Sequence, residues 1–97
     1  MSTRLVQVPT GERYELRKKR VLIGRGEDCD IVLGHATISS SHCVMERNDE
    51  DGHWYVQDLE STNGTWVNNL KVERCPLSPG DIIGLGKSLR YRFESIE

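Results

Sequence analysis

The sequence predicts an all-β domain, a sandwich or barrel of many short strands, on three observations. No stretch of a dozen residues keeps a 3.6-residue apolar period, so helices of any length are not expected. Nine glycines and three prolines interrupt the chain. The segment Leu89–Glu94 alternates apolar and charged residues, as a half-buried strand requires, which predicts that Leu89, Tyr91 and Phe93 face the core.

Short segments bounded by turn residues predict the remaining strands. In chain order, all the predicted strands are Leu5 to Val8, Arg13 to Leu16, Arg20 to Ile23, Asp30 to Val32, Cys43 to Arg47, Trp54 to Leu59, Thr65 to Val67, Asp81 to Leu85 and Leu89 to Glu94. The polar stretch from Asn48 to Gly52 predicts a hairpin between the fifth and sixth of them. Ser78-Pro79-Gly80-Asp81 predicts a turn, with proline fixing one φ and glycine allowing a positive one.

The composition limits the classes of function. Ninety-seven residues with 36% hydrophobic residues predict one domain that folds alone. A formal net charge of −2 and interspersed charges give no basic field for nucleic acid. No apolar run approaches the roughly 18 residues of a membrane span, and no signal peptide precedes the first strand. We therefore expect an intracellular protein with no membrane partner.

The cysteines and histidines do not predict a metal site. Cys29, Cys43 and Cys75 show no C-x-x-C spacing, so we expect reduced thiols. His42 and Cys43 are consecutive, and consecutive strand residues point to opposite faces, so they would not converge on one ion. We expect neither a metal nor another cofactor.

Three polar segments fall where strands should give way to loops: Gly24-Arg25, Ser39-Ser40-Ser41-His42 and Ser61-Thr62-Asn63-Gly64-Thr65. Arginine offers a planar, permanently charged fork for phosphate oxygens, and hydroxyls can donate to the remaining oxygens. An asparagine side chain both donates and accepts, which suits binding a peptide backbone. Together, these groups are the ones that a phosphorylated peptide needs.

The order and spacing of these residues resemble the forkhead-associated (FHA) family of phosphothreonine-binding domains. The matching residues are Gly24-Arg25, Ser39 and His42, Thr62-Asn63-Gly64-Thr65, and Leu77, Gly80-Asp81, Ile83 and Gly86. The resemblance implies a β-sandwich of about eleven short strands with the recognition loops at one end. It covers residues 1–97 as a single FHA domain, which we expect to be a fragment of a larger signalling protein.

The resemblance also implies roles for individual residues. Arg25 and Ser39 would hold the phosphate, and Asn63 would bond the peptide main chain beside the phosphothreonine. Ser40 stands where many members carry asparagine, arginine or lysine, which leaves its contact with the ligand open. Thr62 would add a contact through its backbone N–H or its hydroxyl.

Other matched residues would act on architecture or selectivity. Gly24 and Gly64 would permit backbone conformations that other residues resist, and His42 would tie neighbouring loops together by hydrogen bonds. In the family, the loop before the serine often selects the third residue after the phosphothreonine. Here that loop, with Thr37 and Ile38 at its end, contains no arginine or lysine, which favours an apolar or uncharged residue.

The expected function is phosphothreonine-dependent protein–protein interaction, as an adaptor in kinase signalling in a DNA-damage or cell-cycle response. We expect a monomeric domain, no small-molecule substrate, and a nuclear rather than cytoplasmic location. Two alternatives stay open: a degenerate FHA domain that binds its partner without phosphate, and a nucleic-acid binder using Arg17 to Arg20.

An enzyme is disfavoured. Ser41, His42 and Asp58 could be taken for a hydrolase triad, but no G-x-S-x-G pattern exists and a domain this small offers little enclosed pocket.

Overall fold

The computed structural model describes residues 2–96, which form eleven strands and no helix. The strands are β1 (Ser2–Val8), β2 (Arg13–Glu15), β3 (Arg20–Gly24), β4 (Ile31–Val32), β5 (Cys43–Arg47), β6 (Trp54–Asp58), β7 (Thr65–Val67), β8 (Leu70–Lys71), β9 (Arg74–Pro76), β10 (Ile82–Leu85) and β11 (Leu89–Ile96). Over the described range, no helix has the length and apolarity needed to cross a membrane.

The strands form two sheets. The six-stranded sheet has the order β2-β1-β11-β10-β7-β8, and the five-stranded sheet has the order β4-β3-β5-β6-β9. All neighbouring strands are antiparallel except β3 and β4. The first and last strands are neighbours, with Ser2 opposite Ile96 and Val8 opposite Arg90. The expectation of an all-β sandwich is thereby confirmed.

The core comes from the inward positions of both sheets. The five-stranded sheet contributes residues that are at most 3% exposed: Val21 and Ile23 of β3, Met45 of β5 and Val56 of β6. The six-stranded sheet contributes Leu5, Ile83, Leu85, Tyr91 and Phe93, which are equally buried. Burial of an apolar side chain of this size contributes about 1.5–3 kcal/mol, and all three cysteines are free thiols.

The predicted turns are confirmed. The Asn48–Gly52 segment joins β5 and β6, with Gly52 at a φ of 72° and its amide donating to the Asn48 carbonyl at 2.8 Å. In the turn before β10, Gly80 has a φ of 96° and the amide of Asp81 donates to the Ser78 carbonyl at 3.0 Å.

Two strands, β8 and β9, do not appear among the sequence predictions. Strand β8 is paired with β7 through the two residues Asn68 and Asn69, whose φ angles are 49° and 71°. Positive φ at both central residues is what a type I′ hairpin turn requires, and asparagine tolerates it. Strand β9 contains Pro76 and forms an edge of its sheet, where the missing N–H of proline is tolerated.

Candidate functional site

Three loops meet at one end of the sandwich, and Ser39 joins them. They run from Arg25 to Asp30, from Leu33 to His42 and from Leu59 to Gly64. The amide of Arg25 donates to the Ser39 carbonyl at 3.0 Å. The amide of Thr62 donates to the Ser39 hydroxyl at 2.9 Å. One serine therefore fixes the arginine loop and the asparagine loop relative to each other.

Gly24 allows the first two loops to approach closely. A Cβ placed on Gly24 would lie 2.3 Å from the carbonyl oxygen of Ser40, a separation that a real side chain cannot adopt. The same carbonyl accepts hydrogen bonds from the amide of Gly26 at 3.0 Å and the thiol of Cys29 at 3.2 Å. The backbone of Ser40 is thus held tightly, while its side chain is exposed.

Arg25 is exposed at the edge of this loop cluster. Among residues 2–96, its guanidinium forms no ion pair with a carboxylate. A free guanidinium keeps all its N–H donors available to an anion. Arg25 is therefore the side chain of this cluster that offers a full positive charge to a ligand.

His42 is fully buried beneath the loops and connects two of them. Its Nδ1 accepts a hydrogen bond from the amide of Ser39 at 3.1 Å, so the ring proton lies on Nε2 and is donated to the Gly64 carbonyl at 2.8 Å. The Gly64 carbonyl also accepts from the amide of Gly86 at 3.1 Å. The neutral imidazole thus stabilises the backbone on both sides of the site.

Asp58 organises the loop that carries Thr62 and Asn63. Its Oδ1 accepts from the hydroxyls of Ser61 at 2.5 Å and Thr65 at 2.7 Å, and its Oδ2 accepts from the amide of Ser61 at 3.1 Å. Burial alone would raise the pKa of this carboxyl, but these hydrogen bonds favour the carboxylate and lower its pKa below the ordinary value. The charged form is therefore the one that fits the loop.

The sequence interpretation missed this role of Asp58, which it considered only as a possible triad member. The spacing of Asp58, Ser61 and Thr65 around a tight turn is the pattern that could have indicated it, because short hydroxyl and carboxylate side chains favour such local hydrogen bonds.

The triad itself is not assembled. The two ring nitrogens of His42 are hydrogen-bonded to the Ser39 amide and to the Gly64 carbonyl. The carboxylate of Asp58 accepts from the hydroxyls of Ser61 and Thr65. The side chain of Ser41 is exposed, whereas His42 is buried. These hydrogen bonds hold the loops in place.

Asn63 is bonded to the loop that precedes Ser39. Its Nδ2 donates to the carbonyl of Thr37 at 2.9 Å, which leaves the second N–H and the amide oxygen for other partners. A Cβ on Gly86, whose φ is 68°, would lie 2.8 Å from the same Thr37 carbonyl. Ile38 as a whole residue is 1% exposed and belongs to the core, so of the two predicted selectivity residues it is Thr37 that has accessible surface.

Thr62 and Ser39 each keep one hydroxyl proton that can be donated to a ligand. The backbone N–H of Thr62 is already donated to Ser39, so the exposed hydroxyl of Thr62 is its remaining donor. The Ser39 hydroxyl accepts that bond, and its own proton remains to be donated.

The basic run Arg17 to Arg20 is largely neutralised by acidic residues of neighbouring elements. Lys18 pairs with Asp30 at 2.6 Å, Lys19 pairs with Asp49, and Arg20 lies 3.4 Å from Glu46. Charges that are paired in this way leave little field for a polyanion. This segment does not favour the nucleic-acid alternative.

Comparison with known proteins gives a family match. The family model described as FHA domain matches residues 21–86. The chain is 38% identical over 79 residues to the FHA domain-containing protein FhaA of Mycobacterium tuberculosis, covering 81% of this chain and 15% of FhaA. It is 40% identical over 87 residues to the E3 ubiquitin-protein ligase CHFR of Xenopus laevis, covering 84% of this chain and 14% of CHFR. The chain thus spans a small part of these relatives.

Solved structures show the same architecture. One, described as a structural and functional analysis of phosphothreonine-dependent FHA domain interactions, has a TM-score of 0.88 and 32% identity, and the match covers 100% of this chain and 99% of the other. The FhaA FHA domain, solved in complex with the intracellular domain of Rv3910, has a TM-score of 0.85 and 33% identity, with 96% and 100% covered.

Proposed function

Because this chain belongs to the forkhead-associated (FHA) domain family, we propose that its three loops bind a phosphothreonine segment of a partner protein. Domains of this family are interaction modules that read phosphothreonine. A phosphothreonine carries a charge of about −1.5 to −2 and strong acceptor oxygens. A cation and hydroxyls held in place by the fold can bind such a group with little rearrangement.

The arrangement of Ser39 is the observation that carries this proposal. Its hydroxyl accepts from the Thr62 amide at 2.9 Å, and its carbonyl accepts from the Arg25 amide at 3.0 Å. The hydroxyl proton of Ser39 and the guanidinium of Arg25 therefore belong to loops that are bonded to each other, and neither has a partner among the described residues. A phosphate monoester needs such a pair of donors.

The remaining site residues take supporting parts in the proposal. Arg25 and Ser39 hold the phosphate, and the exposed hydroxyls of Ser40 and Thr62 donate to its outer oxygens. Asn63 bonds the peptide main chain with the groups that its bond to Thr37 leaves over. Thr37 borders the residues that follow, Ile38 anchors that loop in the core, and Gly24, His42 and Gly64 fix the loops.

The domain acts by binding alone in this proposal, as a monomeric adaptor whose partner is switched by a kinase. Any catalytic activity would belong to other parts of a longer polypeptide, as with the relative named as a ubiquitin ligase. A kinase-dependent partner places the domain inside the cell, and we propose a nuclear role in DNA-damage or cell-cycle signalling.

A peptide library tests the proposal. A degenerate phosphothreonine library and its unphosphorylated counterpart are passed over immobilised protein, and the selected peptides are measured by calorimetry. We expect micromolar affinity, about −8 kcal/mol, for phosphorylated peptides and no measurable affinity for the unphosphorylated ones. Equal affinity for both forms would refute phosphate recognition and favour the phosphate-independent alternative.

The phosphoserine version of a selected peptide provides a second comparison. Burying the methyl group of threonine is worth about 0.8 kcal/mol, or roughly fourfold in affinity, and threonine has the stiffer χ1. We therefore expect phosphoserine to bind several-fold more weakly. Equal binding would remove methyl recognition and leave phosphate recognition intact.

A further inference from the structure

A row of residues crosses the outer face of the six-stranded sheet next to Asn63. Strand pairing places Lys71 beside Trp66, Trp66 beside Gly84, and Gly84 beside Arg90. The alternate positions on β7, β10 and β11, which are Val67, Ile83 and Tyr91, are buried in the core. The row therefore faces outward, because successive strand residues point to opposite faces.

Gly84 turns this row into a groove. It has no side chain between the indole of Trp66 and the long side chain of Arg90, and a Cβ there would lie 3.2 Å from the Cβ of Trp66. The resulting groove has a volume of about 450 Å³. Its wall is completed by Asn63 and by the turn that carries Lys87.

The groove is positively charged. Lys87 and Arg90 are exposed, and neither forms an ion pair with a carboxylate in residues 2–96. The side chains that line the groove include no aspartate or glutamate among the described residues. This differs from the run around Lys18 and Lys19, where acidic neighbours neutralise the lysines.

Asn63 links the groove to the phosphate-binding loops. It lines the groove, and it donates to Thr37 in the loop that also carries Ser39. The indole N–H of Trp66 donates to the carbonyl of Asn63 at 3.4 Å, which joins the groove wall to the asparagine loop. A peptide chain bonded by Asn63 therefore has this groove directly beside it.

We propose that the groove receives an acidic side chain of the same phosphopeptide, on the flank that lies beyond Asn63, and that Lys87 and Arg90 select it. The inference rests on the proposed function and adds a specificity determinant to it. It revises the expectation from Thr37 and its loop, which lacks arginine and lysine, because Lys87 comes from the turn between β10 and β11 and Arg90 from β11 itself.

Peptide substitution tests the proposal. Starting from a phosphothreonine peptide selected by the wild-type protein, alanine and aspartate are compared at each flanking position by calorimetry. We expect aspartate at one or two positions on one flank to bind about two- to fivefold more tightly than alanine, the range for exposed ion pairs. The gain should shrink at high salt, where such pairs are screened.

Matched variants test whether Lys87 and Arg90 cause the preference for aspartate. In the double variant Lys87→Ala, Arg90→Ala, the ratio of the affinities for the aspartate and alanine peptides should fall to about one. The double variant Lys18→Ala, Lys19→Ala, which removes two lysines elsewhere, should keep the gain. Arg90→Glu should reverse the preference, so that lysine in the peptide binds better than aspartate.

The outcomes separate this inference from the proposed function. Binding of phosphothreonine peptides with no preference for aspartate at any position, or a preference that survives Lys87→Ala, Arg90→Ala, would overturn the inference and leave the proposed function standing. Failure of the wild-type protein to bind any phosphothreonine peptide would refute both.

Discussion

The backbone amide of Thr62 donates a 2.9 Å hydrogen bond to the hydroxyl of Ser39, across a separation of 23 positions in the chain. Because the hydroxyl oxygen accepts this bond, its proton can be donated outward. The contact thus does two things at once: it holds the asparagine loop against the serine loop, and it orients a donor for an anionic ligand.

Replacement of Ser39 by alanine should therefore weaken binding much more than it weakens the fold. A hydrogen bond to a charged group is worth about 1.5–3 kcal/mol, which corresponds to roughly ten- to a hundredfold in affinity. In that variant the amide of Thr62, which is an exposed residue, can donate its hydrogen bond to water instead. Calorimetry with a phosphothreonine peptide checks the first effect, and urea unfolding checks the second; unchanged affinity would contradict the role of the hydroxyl.

Replacement of Arg25 by lysine distinguishes a specific site from a merely positive surface. Lysine keeps the charge but loses the planar fork, so we expect a loss of about 1–3 kcal/mol, or five- to a hundredfold in affinity. The double variant Lys18→Ala, Lys19→Ala should change affinity less than twofold at physiological salt, because screening acts over about 8 Å.

The control for Arg25 has its own structural expectation. Lys18 and Lys19 pair with Asp30 and Asp49 at the surface, and such exposed pairs are worth about 0–1 kcal/mol each. The double variant should stay folded. If it lost binding while Arg25→Lys kept it, the phosphate site would have to be abandoned for the basic run.

Removal of His42 should destabilise the whole domain. His42→Ala leaves the amide of Ser39 and one bond of the Gly64 carbonyl without their partner and opens a cavity in a fully buried position. We expect the free energy of unfolding to fall by about 2–4 kcal/mol, measured by urea denaturation. His53→Ala, at an exposed position, is the matched control and should cost less than about 0.5 kcal/mol.

Asp58 should make stability depend on pH in the acid range. Its pKa is lowered in the folded state because hydrogen bonds from Ser61 and Thr65 outweigh burial. The carboxylate therefore stabilises the fold at pH values above its unfolded pKa of about 3.9, and this contribution is lost as the pH falls through the lower folded pKa. Asp58→Asn should be less stable than wild type at pH 7, by about 1–3 kcal/mol.

The test is the difference between the two proteins as a function of pH. The gap in unfolding free energy should be constant above about pH 5 and should narrow as the pH falls below about 4. Other acidic groups titrate in both proteins, so the difference isolates Asp58. A gap of the same size at pH 3 and pH 7 would show that the carboxylate charge contributes nothing to the loop.

The sequence predicted most of the fold because burial on one face imposes a period of two on each long strand. The strand from Leu89 carries this pattern over six residues. The strand at Leu70 has only two residues, and the strand at Arg74 ends in Pro76, a residue that sequence rules do not favour in strands, so neither shows it. The turn at Asn68-Asn69 was the available clue, since it favours positive φ.

The candidate site also has one part that the sequence indicated and one part that it did not. Arg25, Ser39 and Asn63 could be named as candidates because the order and spacing of their loop motifs resemble those of the FHA family. The groove beside Asn63 was not, because Lys87 and Arg90 reach it only through the pairing of β10 with β7 and β11. Such contacts depend on strand register, which local sequence does not specify on an exposed face.

The pairing of Ser2 with Ile96 fixes where flanking polypeptide would leave the domain. Strand β11 begins at Leu89, beside the cationic groove, and at about 3.4 Å per residue it carries the chain roughly 24 Å away before reaching Ile96. Polypeptide attached at either end would therefore leave the domain at neighbouring positions, at the end of the sandwich opposite the recognition loops. Any flanking polypeptide would thus begin at a distance from the loops that carry Arg25.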